Sequence, residues 1–128
     1  MSPIKIFDLK FSKKDINFFL KNSKNIFKDG FFSNHKYVKK FEKQFQKKNN
    51  SKFALATSSG TSALEIILRS FNVKNKEVLT NSNTFIATGH AIKNANAKIV
   101  PVDLEKDYYM MCPIDLKKKI NKNTGAVV

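Results

Sequence analysis

The sequence predicts an α/β protein in which amino-terminal helices are followed by βαβαβαβ units of a parallel sheet. Residues 13–49 repeat apolar side chains at helical spacing, whereas residues 53–128 alternate short apolar runs with helical segments. Polar turn residues separate these runs. Strands and helices that alternate in this way are typical of a parallel sheet whose strands are joined by helical crossovers.

The composition indicates a chain that folds. Its 128 residues are 41% hydrophobic and 12% aromatic, which is enough for the core of an ordinary domain. The net charge of +14 favours an anionic partner, but only Arg69 among the 24 basic residues is an arginine, the preferred reader of phosphates and guanine. We therefore interpret the scattered lysines as a solvated surface and predict neither nucleic acid nor membrane as a partner.

Several other classes of function have no support in the sequence. Cys112 is the single cysteine, so an internal disulfide is impossible. His35 and His90 lack partners at metal-ligand spacing, and no metal site is predicted. Residues 1–20 interleave charges with apolar side chains, unlike a signal peptide or a membrane span, so we expect a cytoplasmic protein.

Two helices are predicted before any strand. The first runs from Lys13 to about Phe27, with Ser12 as a cap and Gly30 just beyond its end. The second includes residues 38–45 and stops at residues 49–50. Residues 1–50 are thus predicted to be an amino-terminal helical segment.

The remaining residues, 51–128, are predicted to form an incomplete α/β domain. Strands are expected at residues 53–56, 77–80, 98–102 and 125–128, and helices at about 61–71, 85–93 and 113–120. The last strand has no helix after it, although parallel strands are normally buried on both faces. We therefore expect a truncated domain.

The strongest local motif is the run of hydroxyl and small residues at 57–64, between a predicted strand and a predicted helix. Free backbone amides at a helix start, with small side chains and hydroxyl groups beside them, form a phosphate site. Alternatively, Ser62 and Glu65 have the spacing of a capping box, which needs no ligand. The glycine patterns of dinucleotide-binding folds and P-loops are absent from the sequence.

Phe85 is a second candidate, because it follows the strand predicted at residues 77–80. Ligands favour the carboxyl end of a parallel sheet, where an aromatic side chain can stack on a flat heterocycle. Taken alone, such a phenylalanine is more often a core residue.

Several motifs together resemble the DegT/DnrJ/StrS family of sugar aminotransferases. They are A-T-S-S-G-T-S-A-L at residues 56–64, E-V-L-T-N-S-N-T-F-I-A-T-G-H-A-I at 77–92 and A-K-I-V-P-V-D at 97–103. Upstream, G-F-F-S at residues 30–33 and V-K-K-F-E at 38–42 also resemble that family. The resemblance covers the chain from about residue 30 to its end.

The resemblance implies the large domain of a fold-type-I transferase that uses pyridoxal phosphate. Such enzymes move an amino group, commonly from glutamate, onto a nucleotide-linked keto-sugar in polysaccharide or amino-sugar biosynthesis, and they are homodimers. Thr61 and Ser62 match the positions that bind the cofactor phosphate, Gly60 lets the backbone approach it, and Phe85 matches the aromatic that stacks on the ring. The Schiff-base lysine, the carboxylate that pairs with the ring nitrogen and a further phosphate-binding serine are expected after residue 128, so no catalytic residue is assigned here.

Some residues depart from the family pattern. His35 replaces a usual glycine, and Asn75 and Asn96 occupy turns where glycine is frequent. Gly89 and His90 are unusual inside a helix. Two alternatives stay open: a family relative without transaminase activity, dehydratase-like or regulatory, and a basic binding module that is not an enzyme.

Overall fold

The computed structural model describes residues 4–5, 7–33 and 35–128. The chain forms two compact units, Met1–Leu55 and Ala56–Val128, which we call the amino-terminal unit and the α/β unit. The helical segment predicted over residues 1–50 includes residues 1–3, 6 and 34, which lie outside the described residues.

The first helix of the amino-terminal unit, α1, spans Lys13–Asp29. The Ser12 hydroxyl accepts a hydrogen bond from the Asp15 amide at 3.1 Å and caps the helix. At the other end, Gly30 adopts a left-handed φ of 71° and donates its amide to the carbonyl of Ile26. The predicted cap and the predicted stop are both confirmed.

The second helix, α2, spans Lys36–Asn49 and ends at Asn50, which is left-handed with φ 49°. Neither α1 nor α2, both described throughout, contains a fully buried side chain. Across the described residues, every helix is either too short or too polar to traverse a bilayer.

The α/β unit consists of three further helices and three strands. They are α3 (Gly60–Ser70), β1 (Glu77–Asn81), α4 (Ile86–Asn94), β2 (Lys98–Val102), α5 (Pro113–Lys119) and β3 (Thr124–Val127). The sheet order is β2-β1-β3. Both pairings are parallel, as predicted. Val78 on β1 lies opposite Ile99 on β2 and Ala126 on β3.

The main core lies between the sheet and the helices α3 and α4. Its buried side chains come from α3, β1, α4 and the loops between them: Leu68, Val73, Val78, Ala91, Ile92 and Ala95. Successive side chains of a strand point to opposite faces, so Thr80 shares the face of Val78, and Leu79 lies on the other. On β2, which α5 contacts, Val102 is also buried.

The strand predicted at residues 53–56 is not formed, and this part of the prediction was wrong. The segment pairs with none of the three strands, and the side chains of Phe53 and Leu55 are 76% and 70% exposed. A strand is stabilised by a hydrogen-bonded neighbour in the ladder, and this segment has no such neighbour among β1, β2 and β3. The α/β unit of the described chain therefore begins with α3.

Two turns behave as their asparagines predict. Asn75 and Asn96 have φ values of 61° and 56°, which lie in the left-handed region. The amide of Asn75 donates to the carbonyl of Asn96 at 2.8 Å, so the two turns meet at the amino edge of the sheet.

A short hairpin that the sequence did not predict follows β2. Leu104 and Met111 form an antiparallel bridge, and the amide of Glu105 donates to the carbonyl of Met110 at 2.9 Å. We call residues 104–111 the hairpin.

Candidate functional site

The start of α3 carries a cluster of hydroxyl groups. Ser59 is the N-cap, with an extended backbone, and its hydroxyl accepts the Ser62 amide at 3.1 Å. The Ser62 hydroxyl lies 3.1 Å from that of Ser59 and 3.4 Å from that of Ser58. Thr57 donates its hydroxyl to the Ser59 carbonyl at 2.9 Å, which fixes the turn before the helix.

This arrangement differs from the capping box predicted as an alternative. The cap is Ser59, three residues before Ser62, and Glu65 turns away to accept hydrogen bonds from Arg69 and Asn94. The sequence contained the signal, because a serine immediately before a helical segment is a preferred N-cap. Ser58 and Ser59 are therefore additional members of the cluster that sequence reasoning did not single out.

The backbone at the start of α3 can receive an anion. The Ala63 amide donates to the Ser59 carbonyl, whereas no acceptor for the amides of Gly60 and Thr61 is present in the described chain. A Cβ added at Gly60 would have no heavy atom within 4 Å, so the space in front of these amides is open. The helix dipole makes this end positive, and no acidic residue lies in the first turn.

Phe85 is the N-cap of α4 and adopts an extended conformation with φ −64° and ψ 139°. Its side chain is 79% exposed and cannot cap the helix. The loop before it is ordered by local bonds, because Asn81 accepts the Asn83 amide and the hydroxyls of Thr84 and Thr88 lie 3.0 Å apart. An exposed ring on a fixed backbone is suited to covering one face of a flat ligand.

The chain topology brings the starts of α3 and α4 to the same end of the α/β unit. The helix α3 leads into β1 and α4 leads out of it, so the two helices run in the same direction. Arg69, near the end of α3, donates to the carbonyl of Asn94 at the end of α4. Gly60 lies nine residues before Arg69, and Phe85 lies nine residues before Asn94, so the two helices start at a similar level.

The starts of α3 and α4 lie at the carboxyl edge of the sheet, where β1 ends at Asn81. All four residues predicted for the site, Gly60, Thr61, Ser62 and Phe85, therefore belong to this edge. The residues present suit a phosphorylated flat ring, since amides and hydroxyls are available for the phosphate and an exposed phenyl group for the ring.

A charged network joins α3 and α4 toward their carboxyl ends, away from the candidate site. Hydrogen bonds from Arg69, and secondly from Asn94, lower the pKa of the Glu65 carboxyl below its ordinary value. Glu65 therefore stays ionised and holds the two helices parallel. No group of three or more His, Cys, Asp or Glu side chains within residues 4–5, 7–33 and 35–128 is arranged to hold a metal ion.

Known proteins resemble this chain in sequence. Residues 13–128 match the model of the DegT/DnrJ/EryC1/StrS aminotransferase family. An uncharacterized protein of Methanocaldococcus jannaschii is 38% identical over 90 residues, which are 70% of this chain and 23% of that protein. GDP-perosamine synthase of Escherichia coli O157:H7 is 32% identical over 93 residues, which are 72% of this chain and 26% of that enzyme.

Solved structures resemble it in fold. NtdA from Bacillus subtilis, with the bound cofactor PMP, superposes with a TM-score of 0.81 at 24% identity, over 88% of this chain and 26% of NtdA. The fold-type-I prediction is thereby confirmed for the described residues. The chain spans about a quarter of the length of the curated relatives it matches. On the family match over residues 13–128, this chain belongs to the DegT/DnrJ/EryC1/StrS aminotransferase family.

Proposed function

We propose that this chain supplies the phosphate-binding and ring-covering part of a pyridoxal-phosphate-dependent aminotransferase. The complete enzyme would transfer an amino group to a nucleotide-linked keto-sugar in polysaccharide or amino-sugar biosynthesis. The observation that carries the proposal is the pair of helix starts at one edge of the sheet, one with open amides and the other with an exposed phenylalanine.

Each site residue has a distinct role in this proposal. The amides of Gly60 and Thr61 and the hydroxyls of Thr61 and Ser62 bind the phosphate, since the helix start favours negative charge. Gly60 keeps the approach open, because the space where a Cβ would stand is empty. Phe85 lies against one face of the ring and excludes water from it.

Pyridoxal phosphate, when bound, supplies an electron sink for bonds to the carbon that carries the amino group. The residues of this chain would then orient and shield that chemistry. Glutamate as the amino donor, a homodimeric assembly and a cytoplasmic location remain predictions from the sequence and belong to the same proposal.

The proposal is tested by titrating the isotopically labelled chain with pyridoxine phosphate and following amide resonances. This compound carries an alcohol in place of the aldehyde, so it cannot react with the many lysine amines. We expect weak binding, with shifts concentrated at Gly60, Thr61 and Ser62. Pyridoxine without the phosphate should leave these amides unchanged, and equal responses to the two compounds would refute the phosphate site.

Matched variants separate binding from stability. Ser62→Ala should weaken binding several-fold, whereas Ser70→Ala removes a hydroxyl from the other end of the same helix and should leave binding unchanged. Gly60→Ala should weaken binding without lowering the unfolding midpoint, because its new methyl group meets no protein atom. Phe85→Ala should reduce the ring-current shifts of the ligand, with the exposed Phe71→Ala as its control.

A further inference from the structure

The hairpin after β2 is held in one conformation by backbone bonds at its base. The Tyr109 amide donates to the Glu105 carbonyl at 3.0 Å, and the Cys112 amide donates to the Asp103 carbonyl at 2.8 Å. Tyr109 has a φ of 53°, in a region that bulky side chains avoid. Such a conformation persists only where the surrounding bonds impose it.

The tip of this hairpin presents aromatic side chains to solvent. Tyr108, Tyr109 and Met110 are 75%, 67% and 64% exposed. Neither tyrosine ring contacts another aromatic ring or a cation among the described residues. The two rings are therefore available to an external partner.

The hairpin also carries two acidic residues, Glu105 and Asp107, on either side of Lys106, and Asp103 immediately precedes it. Three of the ten acidic residues fall within residues 103–107, although the net charge of the chain is +14. Asp107 is exposed and adjoins Tyr108, and in the described chain no lysine or arginine pairs with it or with Glu105. Free carboxylates next to exposed rings favour a flat ligand that donates hydrogen bonds.

The hairpin leaves the same edge of the sheet as the candidate cofactor site. Val102, the last residue of β2, accepts the amide of Ser82 at 3.0 Å, and Ser82 lies three residues before Phe85. A nucleotide-linked sugar carries its base several bonds away from the reacting carbonyl, so the base needs a contact surface beyond Phe85. The hairpin tip is a surface of that kind at the correct edge.

We propose that the hairpin tip binds the base of the nucleotide-linked substrate and prefers guanine to thymine. The inference rests on the proposed function and names the substrate class within it. A tyrosine ring stacks on any base, but guanine also offers a ring N–H and an amino group on one edge, which a carboxylate can accept together. Thymine presents one N–H between two carbonyl oxygens, and the negative carboxylate is repelled by those oxygens.

The test compares GDP with dTDP as probes of the labelled chain. The two carry the same diphosphate, so a difference between them reports on the nucleoside. We expect GDP to shift the amides of Tyr108, Tyr109 and Met110 and to bind at least several-fold more tightly than dTDP. Shifts confined to the start of α3, or equal affinities, would overturn the inference.

Three variants refine the result. Tyr109→Asn removes a ring but keeps a residue that tolerates the left-handed region, so it should weaken GDP binding about tenfold without unfolding the hairpin. Asp107→Asn should reduce the preference for GDP while leaving dTDP binding unchanged. Phe71→Ala, an exposed aromatic at the opposite edge of the sheet, should change neither.

The proposed function and this inference can fail separately. Pyridoxine phosphate reports on Gly60, Thr61 and Ser62, whereas the nucleotide pair reports on the hairpin. A chain that binds the phosphate but shows no guanine preference refutes only the role of the hairpin. A hairpin that instead responds to concentration of the chain, and to no nucleotide, is a contact between copies and also refutes it.

Discussion

The two units of this chain use apolar side chains in opposite ways. Ten of the twelve phenylalanines lie in residues 1–55, yet every fully buried side chain of the described residues lies between Leu68 and Val102. The α/β unit closes its core with small and branched aliphatic residues packed between a sheet and two helices. Amphipathic periodicity is thus sufficient to form helices, but burial needs a second layer against which they can pack.

Charge follows the same division. Residues 1–55 hold 14 of the 24 basic residues and only four of the ten acidic ones. Concentrated like charge destabilises a compact state by repulsion. We therefore expect the amino-terminal unit to open more readily than the α/β unit, and the following experiments test that expectation.

The largest effect is expected for Ile92→Ala. Ile92 is fully buried between α4 and the sheet, so its truncation should lower the free energy of unfolding of the α/β unit by ~2–5 kcal/mol. Phe19→Ala in α1 removes a larger side chain that is 68% exposed, and should change stability by less than ~0.5 kcal/mol. Amide hydrogen exchange measures both units in one sample, and similar losses from the two variants would contradict the comparison.

Two glycines should respond to substitution for different reasons. At Gly125 an added Cβ would lie 2.9 Å from the Cβ of Lys76 and 3.3 Å from Cγ1 of Val73, so Gly125→Ala should destabilise by ~1–3 kcal/mol through overpacking. Gly30 is surrounded by open space, and Gly30→Ala should cost ~1–2 kcal/mol through its positive φ alone. Asparagine should restore most of the stability at Gly30 and none at Gly125, which urea denaturation would reveal.

A smaller gain is expected from Thr80→Val. Thr80 is the only polar residue among the fully buried residues of the described chain, and its hydroxyl has no hydrogen-bond partner there. An unpaired buried hydroxyl destabilises the folded state, so valine should raise the free energy of unfolding of the α/β unit by ~1 kcal/mol, seen as a higher unfolding midpoint. Thr88→Val removes a hydroxyl that is paired with Thr84 and should give no such gain. A lower midpoint for Thr80→Val would mean that this hydroxyl is used.

The smallest difference in stability between the two units is expected from lowering the pH, because the carboxyl groups concerned lie near the surface. Three carboxyl groups of the α/β unit have a lowered pKa, chiefly through hydrogen bonds: Glu65 from Arg69, Glu77 from Asn121, and Asp115 from the Asp103 amide. In the amino-terminal unit only Asp29 has a lowered pKa among the described residues, through a hydrogen bond from Lys36.

A lowered pKa in the folded state means that protonation opposes folding. The stabilising effect of Glu77 is complete above its ordinary pKa of 4.5 and is lost as the pH falls through its lower folded value. The unfolding midpoint of the α/β unit should therefore decline as the pH falls below 4.5. Glu77→Gln should make that decline shallower, and an unchanged slope would exclude its contribution.

Local features of this fold were predictable because they depend on a few neighbouring residues. Ser12 caps α1 and Gly30 ends it, since both act on the backbone within four residues. The run of residues 57–64 predicted a polar helix start for the same reason, although the identity of the cap, Ser59, was found only in the structure.

Features that depend on one specific pairing partner were not predicted. The apolar run at residues 53–56 has the pattern of a strand, but a strand forms only where another strand is available to pair with it. Likewise, the hairpin depends on a bridge between Leu104 and Met111 that no periodicity indicates. That α3 and α4 start at the same edge follows from the order of helices and strands, and the network around Glu65 then sets their relative level.

Asparagine occupies most of the left-handed turn positions of this chain, where glycine is the usual residue. Four of the five non-glycine residues with positive φ in the described chain are asparagines: Asn50, Asn72, Asn75 and Asn96. Codons for glycine begin with two guanines and those for asparagine with two adenines, so mutational drift away from guanine tends to remove the first and supply the second. Because asparagine adopts the left-handed conformation at a small cost in free energy, it can replace glycine at these positions and the turns are preserved.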